Sequence, residues 1–184
     1  MGSISIIGLG NMASALAGRA LDGGNAVEII GRDPAKAKAL AATLGGATVG
    51  TAGSAVAVIS HYGEALHGKV VIDITNPITP DFTGFVAPDG SSGAHVVKAF
   101  NTLPSDVLAA GSVEGRPVDV FIVGDDVQAK ARVSVFIESL GMHPMGAGQL
   151  PMARALENAT LLQLGLITHS GKNTNLFLGV SILS

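Results

Sequence analysis

The sequence predicts an α/β fold, a doubly wound and mostly parallel sheet with a short helical C-terminal extension. Short apolar β-like runs alternate with helical patterns along the chain, which is how successive βα units read. Val70-Val71-Ile72-Asp73-Ile74 and Val118-Asp119-Val120-Phe121-Ile122-Val123 are nearly continuous apolar runs, as expected of strands covered on both faces. The first run, Ile4-Ser5-Ile6-Ile7, ends in Gly8-Leu9-Gly10-Asn11-Met12-Ala13 and passes straight into a helical pattern, with a second strand, Ala26–Ile30, after it. That order of strand, glycine turn, helix and strand opens a dinucleotide-binding, Rossmann-type unit.

Taken in order, strands are expected near 3–8, 26–31, 69–75, 95–100 and 117–123. Helices are expected near 11–22, 34–44, 55–66, 104–110, 126–140 and 149–169. Asp33 and Pro34 supply a cap and a first-turn proline for the second helix. Gly45-Gly46 stops it. Two stretches are short for the fold. Between Gly50 and Ser54 another buried strand is normally found, and between Pro88 and Ala94 a crossover helix has no room. Residues 1–148 are expected to form the nucleotide-binding domain. Residues 149–184 form a C-terminal helix and apolar tail, packed on that domain or on a partner subunit.

With 184 residues, 47% of them hydrophobic, the chain is long enough to bury one substantial core. A net charge of −3 with 14% charged residues excludes a phosphate-backbone binder, so no nucleic-acid partner is expected. The absence of cysteine excludes disulfides and thiolate metal sites, and the histidines lack ligand spacing, so no metal site is expected. No apolar run approaches the roughly 18 to 20 residues of a membrane span, which leaves a soluble, cytoplasmic protein as the simplest expectation.

The glycine turn assigns roles residue by residue. Gly8 allows the tight bend, Gly10 lets the backbone approach a pyrophosphate, and Ala13 lets the helix lie close on the strand. Leu9, Asn11 and Met12 complete a loop whose amides face the phosphates at the helix N-terminus. The second strand ends Ile30-Gly31-Arg32-Asp33-Pro34-Ala35-Lys36. Gly31 stands where an acid would hydrogen-bond the ribose of NAD, so nothing there repels a 2′-phosphate. Arg32 offers a planar fork and Lys36 a point charge one turn on, which together predict NADP(H) as the cofactor.

Three further segments form a more specific pattern: Ile72-Asp73-Ile74-Thr75-Asn76-Pro77, Val96-Val97-Lys98-Ala99-Phe100-Asn101-Thr102 and Val123-Gly124-Asp125-Asp126. In this order and spacing the chain resembles the NADPH:coenzyme F420 oxidoreductases, and is similar to the reductase domains of the transmembrane ferric reductases. The resemblance implies hydride transfer between NADP(H) and the deazaflavin coenzyme F420, with FMN or FAD as the alternative second cofactor. It places Asn76 and Pro77 beside the nicotinamide, and Ala99, Phe100 and Asn101 on the opposite wall. For Phe100 the alternative is plain core packing. Lys98 serves either a structural ion pair or an acidic cofactor. Asp125-Asp126 read as a helix cap. Glu157 and Asn158 resemble a position near the deazaflavin or lie on an intrahelical surface. Hydride transfer depends on holding donor and acceptor carbons about 3 to 3.5 Å apart rather than on an acid or base, so no catalytic side chain is named.

The string Gly10-Asn11-Met12-Ala13 also looks like the pyrroline-5-carboxylate reductase fingerprint, but those enzymes complete their site with a long helical domain for which this chain has no room after residue 149. A non-catalytic NADP-binding sensor is a third reading. The apolar tail Leu176–Leu183 has to be covered, and dimerisation is common in the resembled family, so a homodimer with 149–184 in its interface is expected.

Overall fold

The computed structural model describes residues 2–50, 66–76, 93–169 and 176–181. Strand β1 (Ser3–Ile7) turns Ile4 and Ile6 inward by simple alternation. Helix α1 (Asn11–Asp22) buries Ala13, Leu16, Ala17 and Ala20, a stripe at helical spacing whose small residues bring the helix close to the sheet. β2 (Ala26–Ile30) pairs in parallel with β1, Ile6 opposite Ile29 and Ile7 opposite Ile30. α2 (Pro34–Leu44) starts as the sequence predicts. The Asp33 carboxylate accepts from the N–H groups of Ala35 at 3.0 Å and Lys36 at 3.1 Å, and Gly45 closes the helix at φ +72°.

A two-residue strand, β3 (Thr48–Val49), extends the first ladder to β1-β2-β3. Both of its residues are exposed, so no apolar run announced it. The expected helix over 55–66 lies almost wholly outside the described residues, as do most of the two short stretches.

The second ladder has the order β4 (Val70–Asp73), β5 (His95–Lys98), β8 (Asp119–Gly124), β9 (His143–Gly146). β4–β5 and β8–β9 are parallel, while β5–β8 is antiparallel. The chain between β5 and β8 holds only α3 (Ser105–Ala110) and a hairpin, β6 (Ser112–Val113) with β7 (Arg116–Pro117). Six helical residues rise about 9 Å, against about 20 Å for the six residues of β8, so α3 does not return the chain for a parallel entry. The hairpin turns on Glu114 and Gly115, both at positive φ, the pairing that two-residue β-turns favour. It occupies the residues where the sequence placed the start of a strand at 117.

Helix α4 (Val127–Ser139) is capped by Asp126, which accepts from Ala129 N–H at 2.7 Å. The last helix begins as a 3₁₀ turn over Leu150–Met152, with Pro151 in it, and becomes α5 (Ala153–His169) four residues later than expected from the sequence. One apolar core joins the two ladders: Ile6, Ala17 and Ile29 share it with Val97, Phe100, Val120 and Ile137. None of the described helices is long and apolar enough to cross a membrane.

Candidate cofactor-binding site

At the end of β1 the chain turns through Gly8 at φ +141°, a conformation L-residues rarely adopt. Its N–H donates to Ile30 O at 2.9 Å, which ties the loop to the end of β2. Gly10 is the N-cap of α1 and no side chain caps the helix. The first intrahelical bond runs from Ser14 N–H to Gly10 O at 3.0 Å, so the amides of Asn11, Met12 and Ala13 remain for an outside acceptor. A Cβ added at Gly10 meets nothing within 4 Å, while one added at Gly8 faces Ala13 Cβ at 3.7 Å. Free amides, the positive end of the helix dipole and open space over Gly10 suit a pyrophosphate. Asn11 is exposed, and Met12 and Leu9 pack partly against the core.

Arg32 and Lys36 are exposed, and neither side chain pairs with another among the described residues. Asp33, the counter-charge next to them, has its Oδ1 engaged by two backbone amides. The end of β2 therefore presents two unengaged cations beside a glycine.

A second cluster gathers at the carboxyl ends of β4 and β5. Asn76 Nδ2 donates to Asn101 O at 2.7 Å, and Asn101 Nδ2 returns a bond to Asn76 Oδ1 at 3.0 Å. Asn101 is buried, and its Oδ1 has no partner among the described residues. Pro77 lies outside the described residues. Ala99 and Phe100 are fully buried, with the Phe100 ring edge-on to Phe136 at 6.4 Å. The Phe100 side chain is core, and only its backbone is left to face a ligand. That backbone is unusual: φ is +63°, a left-handed conformation costly for a bulky residue.

Behind this pair Lys98 is sealed from solvent. Its Nζ donates to Asp73 Oδ2 and to Thr75 O, both at 2.8 Å, and lies 3.1 Å from Glu157 Oε1. Burial works to raise the Asp73 pKa, but the hydrogen bonds from Lys98 and from the N–H and hydroxyl of Thr75, with the charge of Lys98, outweigh it and hold it below its ordinary value. Glu157 is thus a buried ion-pair partner and not part of an intrahelical surface, whereas Asn158 is exposed.

Two residues missed in the sequence complete the cluster. Thr160 Oγ1 donates to Asn101 O at 3.1 Å, and Gln163 Nε2 donates to Thr102 O at 3.0 Å. The signal was present as a polar series, Glu157, Thr160 and Gln163, recurring every three residues on the inner face of α5. Asp126 is the expected cap, and Asp125 accepts from Leu150 N–H at 2.9 Å, fixing the start of the last helix.

The structure therefore joins Gly8–Ala13 to Ile30 and Gly31, and Asn76 to Asn101. No hydrogen bond among the described residues links the two groups directly; the shared core does. Among the described residues no three His, Asp or Glu side chains cluster as metal ligands.

Residues 3–60 match the family model described as NADP oxidoreductase, coenzyme F420-dependent. Metalloreductase STEAP3 of Rattus norvegicus is 30% identical over 193 residues, covering 89% of this chain. The chain spans only 39% of that relative's length. Among solved structures, the hypothetical protein SMa0349 from Sinorhizobium meliloti is 28% identical, with a TM-score of 0.69 over 82% of this chain and 87% of that one. A candidate F420-dependent NADP reductase from Arthrobacter sp. FB24 shares the fold at a TM-score of 0.76 and 23% identity, over 97% of this chain and 98% of that one. An imine reductase from Bacillus cereus shares the fold more loosely, at a TM-score of 0.60 and 20% identity, over 91% of this chain and 61% of that one. With the glycine turn, the α/β fold and these matches together, residues 3–60 are similar to the coenzyme F420-dependent NADP oxidoreductases and the chain as a whole shares their fold.

Proposed function

We propose that this protein transfers a hydride between NADP(H) and the deazaflavin coenzyme F420. The observation that carries the reading is the uncapped N-terminus of α1 under an open Gly10, with unengaged Arg32 and Lys36 at the end of β2. Bound there, NADPH supplies the hydride, and the reduced deazaflavin takes its proton from solvent, which balances the reaction. The chain's own part is to hold the pyrophosphate on the α1 amides and the 2′-phosphate on Arg32 and Lys36. Asn76 and Asn101 present a rigid amide rim for the nicotinamide, stiffened by the strained Phe100 backbone and by Lys98 beneath. No side chain is assigned as acid or base, since alignment of two rings is the demand.

In the same reading residues 1–148 form the nucleotide-binding domain, 149–184 extend it, the protein is cytoplasmic, and two copies associate through the exposed Leu162 and Leu166 of α5. Mixing NADPH with the deazaflavin tests the activity: loss of the deazaflavin's visible absorbance supports it. Tight NADPH binding with no absorbance change for either the deazaflavin or a flavin identifies a sensor. The 30% identity to a metalloreductase favours one alternative, reduction of FMN or FAD with ferric ion as final acceptor. Substituting a flavin and a ferric chelate in the same assay separates the two.

A further inference from the structure

We infer that Leu9 is a specificity-determining residue: its side chain fills the volume over Gly31 and thereby dictates that position 31 carries no side chain. The inference rests on the NADP(H) reading above. A Cβ built on Gly31 lies 2.5 Å from both Cγ and Cδ1 of Leu9 and 2.7 Å from Cδ2. Carbon atoms in contact sit about 3.5–4.0 Å apart, so three carbons of one side chain occupy that space together, and a change in the tip alone does not clear it.

The conformation of Gly31 does not explain the glycine, since its φ lies outside the positive range in which L-residues are strained. Space does. Leu9 also has little freedom to withdraw. The Gly8 N–H bond to Ile30 O at 2.9 Å pins its backbone to the end of β2, and its side chain packs against the core.

The consequence is a two-residue selector for the ribose. Position 31 ends the strand where an acidic side chain confers preference for NAD over NADP. With Leu9 in place an acid at 31 has no room to reach the ribose, so Arg32 governs the choice. Leu9 acts through position 31 and not by touching the phosphate.

The test uses the full chain with Leu9→Ala, Gly31→Ala, Gly31→Asp and the two double variants. Thermal unfolding of the alanine series reads the packing without any cofactor. Gly31→Ala is expected to lower the Tm in the parent and to leave it nearly unchanged in the Leu9→Ala background. Titrations with NADPH and NADH then read the selector. Gly31→Asp alone should weaken NADPH without improving NADH, whereas Leu9→Ala/Gly31→Asp should bind NADH at least tenfold more tightly than Gly31→Asp does. Additive Tm changes together with equal NADH affinity in Gly31→Asp and the double variant overturn the inference. Equal NADPH and NADH affinities in the parent chain overturn the cofactor reading instead, while the Tm series still decides the Leu9–Gly31 packing.

Discussion

Asp73 and Lys98 stand directly opposite each other in the parallel β4–β5 ladder, with Lys98 Nζ 2.8 Å from Asp73 Oδ2. Glu157 of α5 closes on the same ammonium at 3.1 Å, so one buried charge ties two strands to the last helix. An ammonium sealed at 2% exposure survives only because it is paired and hydrogen-bonded. Lys98→Met leaves Asp73 without its cation and Glu157 with only the half-exposed Arg154 at 3.8 Å. Breaking a buried pair from one side costs about 3–5 kcal/mol, and denaturant unfolding should show a loss of that order. Converting Asp73 to Asn and Glu157 to Gln in the Lys98→Met background should restore part of it, because no buried unpaired charge then remains.

The same cluster sets a pH dependence. The folded-state pKa of Asp73 lies below its ordinary value of 3.8. A group with a lowered folded pKa contributes stability that is fully present above its unfolded pKa and is lost as pH falls through the folded one. Acid titration of the unfolding free energy should therefore steepen below about pH 4, and Asp73→Asn should flatten that limb while leaving the slope at neutral pH unchanged. An identical acid limb in the two proteins removes Asp73 from the account.

Cofactor choice is tested at Arg32. A charge-assisted hydrogen bond contributes about 1.5–3 kcal/mol, a factor of roughly 10 to 150. Arg32→Ala should weaken NADPH by such a factor and leave NADH nearly unchanged, as measured by titrating each nucleotide. Equal binding of the two nucleotides by the parent chain rejects the assignment.

Gly10 separates folding from binding. Its φ of −89° is open to any residue and an added Cβ meets no atom within 4 Å. Gly10→Val should stay folded and unfold cooperatively, at the cost of a poorer N-cap on α1, yet lose NADPH affinity, because the new side chain stands where the pyrophosphate has to approach the α1 amides. Retained affinity in a protein that unfolds cooperatively shows the turn to be merely structural.

The legible parts of this fold were those with local causes. Periodicity marked β1, β2, α1 and α2 because each buries a face against the sheet, and the Asp33 cap and Gly45 stop act within their own turn. β3, the β6–β7 hairpin and β9 were not legible. They are two to four residues long, largely exposed, and two of them contain proline, so neither alternation nor composition sets them apart. The site divided the same way. The glycine turn and Gly31-Arg32 are contiguous in sequence, whereas the partners of Lys98 come from 25 residues before it and 59 after it. A lysine in an apolar strand announced that partners were needed. Nothing local said that Glu157 was one of them, and the same distance hid Thr160 and Gln163, which reach Asn101 and Thr102 only once α5 has docked.

The last expectation concerns the tail. In the described segment 176–181, Val180 N–H donates to Asp119 Oδ2 at 2.8 Å and Gln163 Nε2 reaches Leu176 O at 3.4 Å, while Phe177 packs partly on the core. Asp119 Oδ1 also holds His143 Nδ1 at 2.8 Å, so the tail closes over a joint between β8 and β9 that is already tied. Covering a large apolar side chain contributes at most about 1.5–3 kcal/mol, and Phe177 is only partly covered. Truncation after Gly171 should therefore lower stability by about 1–2 kcal/mol, the lower part of that range, and Asp119→Asn by less, both read by thermal unfolding. Light scattering on the same proteins separates this contribution within one chain from dimerisation. A parent that is dimeric at micromolar concentration and a truncated chain that is monomeric place the tail region at the subunit contact. A parent that is monomeric, with the truncated chain still destabilised, leaves the tail as a strap on its own domain and rules the dimer out.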